Sequence, residues 1–238
     1  MTTIRIGADP EGFIVDKAGT FIPATGIIPG DKHNPYKIEH GAVQVDGVAV
    51  EFNIDPAENE EEFNRNVVAV TQQIDTMIKK VDKDYTVSWT PVARFRKDIW
   101  TMIPEDNKVL GCDPDFNIEG QVNINPTEAL EGDTLRTAAG HIHIGFRDEL
   151  IDNPMEADHF EDCLYFAREF HKKGLSLYTP HTEEEQERLI YYGHSGSFRP
   201  KKYGVELRAP SNLWVGREET RRLIFNQTRN TFRELIGL

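Results

Sequence analysis

The chain has 238 residues, 38% of them hydrophobic and 10% aromatic, and a formal net charge of −13. That length suits a single domain with a full core, and the negative charge argues against nonspecific binding to a nucleic acid polymer, whose affinity comes largely from Lys and Arg on phosphates. Two cysteines, Cys112 and Cys163, are too few for a disulfide framework and suit a reducing, cytoplasmic setting. Neither a long apolar stretch at the N-terminus nor an apolar run of about 18 residues is present, so a recognisable export signal and a membrane-spanning segment are not expected.

Taken in chain order, Ile4–Ile6 and Phe13–Val15 read as one strand with polar residues at its centre, or as two short strands, with a turn at 17–20 that lets 20–22 pair back. Residues 23–41 are rich in Gly and Pro and read as a long loop, a length often associated with function. Gln44–Asn53 is a strand interrupted at Asp46-Gly47 by a hairpin turn or a bulge. Asp55-Pro56-Ala57-Glu58 has the form of a helix start, and Phe63, Val67, Val70, Ile74, Met77 and Ile78 follow at helical spacing. Tyr85–Phe95 reads as a strand and 120–135 as a loop. A second helix begins at Asn153-Pro154-Met155-Glu156, buries Phe160, Cys163, Leu164, Ala167 and Phe170, and is expected to close at Lys172-Lys173-Gly174. Glu183–Tyr191 is a short helix and 192–202 a loop. Glu218–Leu235 is the last helix, with Leu223, Ile224, Thr228, Phe232 and Leu235 inward. This order is not a regular strand–helix alternation. It predicts an α+β fold with an antiparallel or mixed sheet, helices on one face and the other face free for a ligand.

Along a strand, residues i and i+2 share a face. Asp9 and Glu11, Glu51 and Asn53, His141 and His143, and Glu206 and Arg208 are all such pairs. If these strands lie in one sheet, one face carries carboxylates, imidazoles and an arginine. Clustered carboxylates repel unless cations sit among them, so the pattern implies bound metal. Asp113 and Asp115 form a fifth candidate pair, although Asp-Pro-Asp also makes turns. Asp46-Gly47 reads as a turn rather than a ligand. Gly7, Pro10 and Gly12 are poor strand residues and suggest close approach of a ligand. Arg199, Lys201 and Lys202, just before Glu206 and Arg208, read as phosphate contacts in an otherwise acidic chain. Each piece also has a plainer reading: exposed acids on an edge strand, a structural histidine pair, or cross-strand ion pairs. With carboxylates as companions, His141 and His143 suit Mg2+ or Mn2+ better than Zn2+.

The stretches 7–13, 46–53, 111–117, 136–145 and 199–214 together resemble the phage-encoded carboxylate–amine ligases of the glutamine synthetase and glutamate–cysteine ligase superfamily, in the same order over most of the chain. The resemblance implies one catalytic domain over residues 1–238, an antiparallel sheet forming an active-site funnel, ATP, and two or more Mg2+ or Mn2+ ions. It carries metal binding to Asp9, Glu11, Glu51, Glu206 and one or both of His141 and His143. One of His141 and His143 would match the metal-binding or phosphate-facing histidine of the family. Arg208 would face the transferred phosphoryl group, with Arg199 and Arg136 as further catalytic carry-overs. One departure is Asp9, where glutamate–cysteine ligases usually have Glu. The shorter arm changes the metal position or moves Asp9 behind it.

The expected reaction activates a carboxylate as an acyl phosphate and joins it to an amine. The metal ions and arginines neutralise the phosphate oxygens, and the loops 23–41 and 192–202 exclude water. The substrates are small molecules or peptides, and an oligomer is compatible with the sequence. Two other readings stand beside it: a zinc-dependent hydrolase using His141 and His143, and a non-catalytic phage accessory protein that binds a partner through its acidic surface.

Overall fold

One long strand organises the fold. In the computed structural model, which describes residues 4–108, 115–123, 134–178, 182–193 and 196–237, β1 runs without a break from Arg5 to Val15. It passes straight through the Gly-Ala-Asp-Pro-Glu-Gly stretch. Arg5–Pro10 pair with β11 (Gly140–Gly145), and from Glu11 onward pairing with β5 (Ala49–Ile54) begins. Pro10 therefore sits where the strand changes partner, a position at which a missing N–H is least costly.

The other strands are β2 (Phe21–Ile22), β3 (Tyr36–Ile38), β4 (Gly41–Asp46), β6 (Thr86–Ser88), β7 (Val92–Arg94), β8 (Asp115–Phe116), β9 (Val122–Asn123), β10 (Leu135–Thr137), β12 (Phe198–Lys201) and β13 (Gly204–Leu207). Among the described residues, eleven of these strands form one sheet, ordered β3-β4-β5-β1-β11-β13-β12-β8-β9, with β2 and β6 also paired to β1. Each of its pairings is antiparallel. β7 and β10 make a separate antiparallel pair.

One face of the sheet carries Ile6, Ala8, Val50, Phe52, Ile142, Ile144, Val205 and Leu207 into the main core. Three helices cover it: α1 (Glu60–Val81) through Phe63, Val67, Val70, Ile74 and Ile78, α4 (Ala157–Tyr178) through Cys163 to Phe170, and α6 (Glu218–Leu235) through Ile224, Phe225 and Phe232. Each such side chain contributes about 1.5–3 kcal/mol of burial. The alternate residues of the strands are left on the opposite face. The expected α+β architecture, with an antiparallel sheet and helices on one face, is present. No helix among the described residues is long and apolar enough to cross a membrane.

Several elements differ from expectation for physical reasons. Asp55-Pro56-Ala57-Glu58 does not start the helix, because Ala57 bridges to Ile6 through two backbone hydrogen bonds of 2.9 Å. Asn59 is the cap, accepting from the Glu62 N–H at 3.0 Å. Tyr85–Phe95 is two strands, β6 and β7, split before Pro91, and they join different sheets. The second long helix continues through Gly174 to Tyr178, since one glycine costs only about 1 kcal/mol within a helix. Part of the loop expected over 192–202 is β12, although it contains Pro200. Pairing of β12 with β8 is at Phe198 only, which leaves the proline nitrogen facing no partner strand. Part of the long loop expected over 23–41 is β3. Leu223 is exposed, and Phe225 is buried in its stead. Glu183–Tyr191 (α5) and Glu218–Leu235 match in both bounds. Short helices α2 (Lys97–Trp100) and α3 (Glu105–Lys108) lie between β7 and β8.

Candidate functional site

The sheet order brings the polar pairs together. Asp9 is opposite His141, Glu11 opposite Glu51, Gly7 opposite His143, and His143 opposite Glu206. Beyond Glu51 comes Gln44 on β4, and beyond Glu206 comes Arg199 on β12. The polar face therefore reads across six neighbouring strands. At one end it is walled by a small apolar cluster containing Phe13, Ala49, Phe95 and Ala138, packed under Trp100.

Two groups of acids divide this face. Ligand atoms of Glu11, Asp46 and Glu51 all lie within 4.8 Å of one another, and so do those of Asp9, His143 and Glu206. The first group has little to offset its charge. Ala139 N–H donates to Glu11 at 3.0 Å, and Gln44 donates to Glu51 at 2.9 Å. Burial, and then the neighbouring Asp46 charge, push the Glu11 carboxyl up to about 8. Burial, then Asp9 and Glu11, push Glu51 well above the usual carboxylate range. Three oxygen-bearing acids, two of them driven toward protonation by burial and by one another's charge, fit a hard divalent cation.

The second group is neutralised from within the protein. Glu206 is 1% exposed and meets Arg208, Lys201 at 2.7 Å and Arg199 at 3.5 Å. Burial opposes its ionisation, but Arg208 and the two histidines outweigh burial and hold it far below the usual range. Asp9 lies 2.7 Å from His143 Nε2 and 3.4 Å from His141 Nδ1. Burial works to raise Asp9 as well, and the charge of His143 with the hydrogen bonds from both rings pulls it well down. His143 rises because Asp9 outweighs its burial. His141 falls because of burial and the nearby Arg208.

The arginine is fixed on both sides. Arg208 Nε donates to Asp115 at 2.9 Å, and its guanidinium lies 5.3 Å from the Tyr192 ring centre. Tyr192 also hydrogen-bonds His141 Nε2 at 3.0 Å, while the Tyr203 hydroxyl meets His143 Nδ1. Burial, with Asp9 and Glu206 nearby, raises the Tyr203 hydroxyl far above its ordinary range. Behind them, the fully buried Arg188–Glu185 pair on α5 donates to the Ala209 carbonyl at 2.6 Å, anchoring the residue after Arg208.

Asp9, Glu11, Glu51, His141, His143, Glu206, Arg208, Arg199 and Lys201 thus share one face. Two others are placed elsewhere. Lys202 is exposed in the turn after β12, its carbonyl accepting from Ile151. Arg136 is on β10, where it donates to the carbonyls of Leu135 and Lys108 and stacks at 4.2 Å over Trp100. Asp113 and Cys112 lie outside the described residues, whereas Asp115 reaches Arg208.

Asp46 corrects its reading as a turn residue. It is the last residue of β4, and the turn is Gly47-Val48, with Gly47 at φ +57°. Gln44 and Asp46 alternate with Val43 and Val45, the same two-residue period seen in the other pairs. Tyr192 and Tyr203 carried no such signal, since each flanks a regular element rather than lying within it.

No protein-family model matches the sequence, and no curated protein matches it. Among solved structures, the chain is similar to a bifunctional glutathione synthetase from Pasteurella multocida, with a TM-score of 0.47 and 11% identity over 96% of this chain. It spans 38% of the length of that protein.

Proposed function

We propose that residues 1–238 act as one domain, an ATP-dependent carboxylate–amine ligase of the superfamily that its motifs resemble, working with Mg2+ or Mn2+. One observation carries the reading. An uncompensated trio of acids stands on the same sheet face as a cluster of arginine and lysine, with two histidines between them. Phosphoryl transfer needs those two kinds of group side by side, one to seat a metal and the other to face anionic oxygens.

Glu11, Asp46 and Glu51 would hold one divalent ion, and Asp9, His143 and Glu206 a second. Ions held by these residues would supply positive charge to neutralise phosphate oxygens. Arg208 is held by Asp115 and Tyr192 and keeps its guanidinium on the basin face. Lys201 and Arg199 add positive charge beside it. An anionic ligand would draw these three away from Glu206 and free that carboxylate for a cation. The apolar wall of Phe13, Phe95 and Trp100 keeps water from the Glu11 end, which protects an acyl phosphate from hydrolysis.

The zinc-hydrolase reading needs both histidines as ligands, but His141 Nε2 is engaged by Tyr192, and among the described residues His143 alone of the pair joins a possible ligand group, with Asp9 and Glu206. Calorimetric titration with a non-hydrolysable ATP analogue tests the ligase reading. Binding is expected with Mg2+, lost in EDTA and lost in Glu11→Ala. Wild-type protein that ignores the analogue in Mg2+ yet carries stoichiometric zinc would overturn it. Where binding holds, pairs of acids and amines are screened for ADP release.

A further inference from the structure

A cavity of about 690 Å3 opens on the basin face at the Asp9 end, away from the apolar wall. That lies within the range of small-molecule sites, roughly 300–1,000 Å3. Asp9, His143 and Tyr203 line it. Gly7 and Gly145 line it beside them on the same sheet face, forming its floor, and Arg5 and Arg147 come next along the two strands.

The two floor glycines are not there for backbone reasons. Neither has a positive φ, and a Cβ at either would meet its nearest atom at 3.7 Å, an ordinary contact. Elsewhere in the sheet the opposite holds. A Cβ at Gly12, Gly41 or Gly140 would collide with Trp89, the Asn53 carbonyl or the Trp214 indole. Gly7 and Gly145 share the face of Asp9 and His143, so their lack of side chains is what leaves the floor open.

Arg147 is held in advance of any ligand. Its Nε donates to His159 Nδ1 at 3.0 Å and its Nη2 to Asp162 at 2.6 Å, and the guanidinium lies 5.2 Å from the Phe146 ring centre. His159 is 3% exposed and fixed in turn by the Lys201 carbonyl at 2.9 Å. A buried histidine that bonds both ways orients the guanidinium, whose Nη1 is left to bind an anion. Arg5, whose Nε donates to Glu58 at 3.1 Å, supplies a second, more exposed guanidinium across the strand pair, opposite Gly145. The acids Asp9 and Asp148 in the same cavity oppose a polyphosphate and favour a ligand of mixed charge. From His143 to Arg147 is four residues, about 13 Å if extended, which matches two to four residues of peptide once the reach of the arginine is allowed for.

We propose that this glycine-floored cavity seats one of the two ligase substrates, a short peptide whose free carboxylate is received by Arg147 and Arg5 while its reactive end lies at Asp9 and His143. The chemical role of that peptide rests on the ligase reading; its capture does not.

The test is affinity-selection mass spectrometry with a fully randomised tripeptide mixture, offered as free acids and as C-terminal amides. The wild type is expected to retain free acids about ten-fold over amides, the scale of one charge-assisted contact. Gly145→Val, which fills the floor, and Arg147→Met are expected to abolish that preference. Gly145→Val is expected to keep the wild-type melting profile and the Mg2+-dependent binding of the ATP analogue. Gly7→Ala is a second, smaller filling variant should valine disturb the strand, and it is expected to weaken retention in the same sense. Equal retention of acids and amides, no retention at all, or unchanged retention in both glycine variants would overturn the proposal. Failure of the wild type to bind the ATP analogue speaks against the ligase reading alone.

Discussion

The two acid groups of the basin share strand β1, one residue apart on its face, yet they are balanced in opposite ways. At Asp9, His143 and Glu206 the protein supplies its own cations, and Asp9 and Glu206 stay ionised. At Glu11, Asp46 and Glu51 it supplies two neutral donors, and burial drives protons on. The difference shows that burial alone does not set the state of a carboxylate. Without ligands the Glu206 side is balanced by the protein's own cations, whereas the Glu11 side is not.

The comparison is broken most directly at Glu206. Glu206→Gln leaves Arg208 and Lys201 buried or half-buried without their shared partner, and is expected to lower unfolding stability by about 3–5 kcal/mol in urea titrations. A loss no larger than that of a surface substitution would mean the pairing with Arg208 adds little.

An effect of similar size and opposite sense is expected at Glu11. In EDTA its carboxyl titrates near the usual value when unfolded and at about 8 when folded. Between those values the unfolded chain gives up the proton and the folded chain keeps it, so stability falls as pH rises and the full penalty is present above about 8. That penalty is of the order of 5 kcal/mol. Glu11→Gln is expected to flatten this slope in thermal melts from pH 5 to 9. Mg2+ is expected to flatten it in the wild type by binding the ionised form. A wild-type slope indifferent to both would remove the contrast between the two groups.

Tyr192→Phe sharpens the picture on the Glu206 side. Loss of one hydrogen bond to His141 is expected to cost about 1 kcal/mol in the same melts. The smallest effect is at Cys163. Burial pushes its thiol up to about 12, so in a Cys112→Ser background it is expected to stay unlabelled by a thiol reagent until the protein unfolds.

Much of this face was legible because its strands keep strict alternation. Asp9 and Glu11, His141 and His143, and Glu206 and Arg208 each set two polar groups against apolar neighbours, and antiparallel pairing then aligned them. What was not legible came from pairing partners distant in sequence. Ala57 was claimed by Ile6, so the helix began later than its Asp-Pro signal suggested. Arg199-Pro200-Lys201 looked like loop until β13 held it. Asp46 was hidden by the glycine after it, one position from where the turn begins. Tyr192 reaches His141 from just past the end of α5, a meeting of positions 51 residues apart that local sequence does not carry.

The Asn212 side chain donates to the carbonyls of Glu11 and Thr90, each at 2.9 Å and the first across 201 positions of sequence. The centre of β1 is therefore tied down by a segment 201 positions further along the chain. A chain emerging from the ribosome holds Asp9 and Glu11 early, but closes the surroundings of Glu11 only when residue 212 arrives. Contacts of such long range make slow folding the expectation. Chains cut before Asn212 would then leave the centre of β1 without this tie, however complete their set of acids.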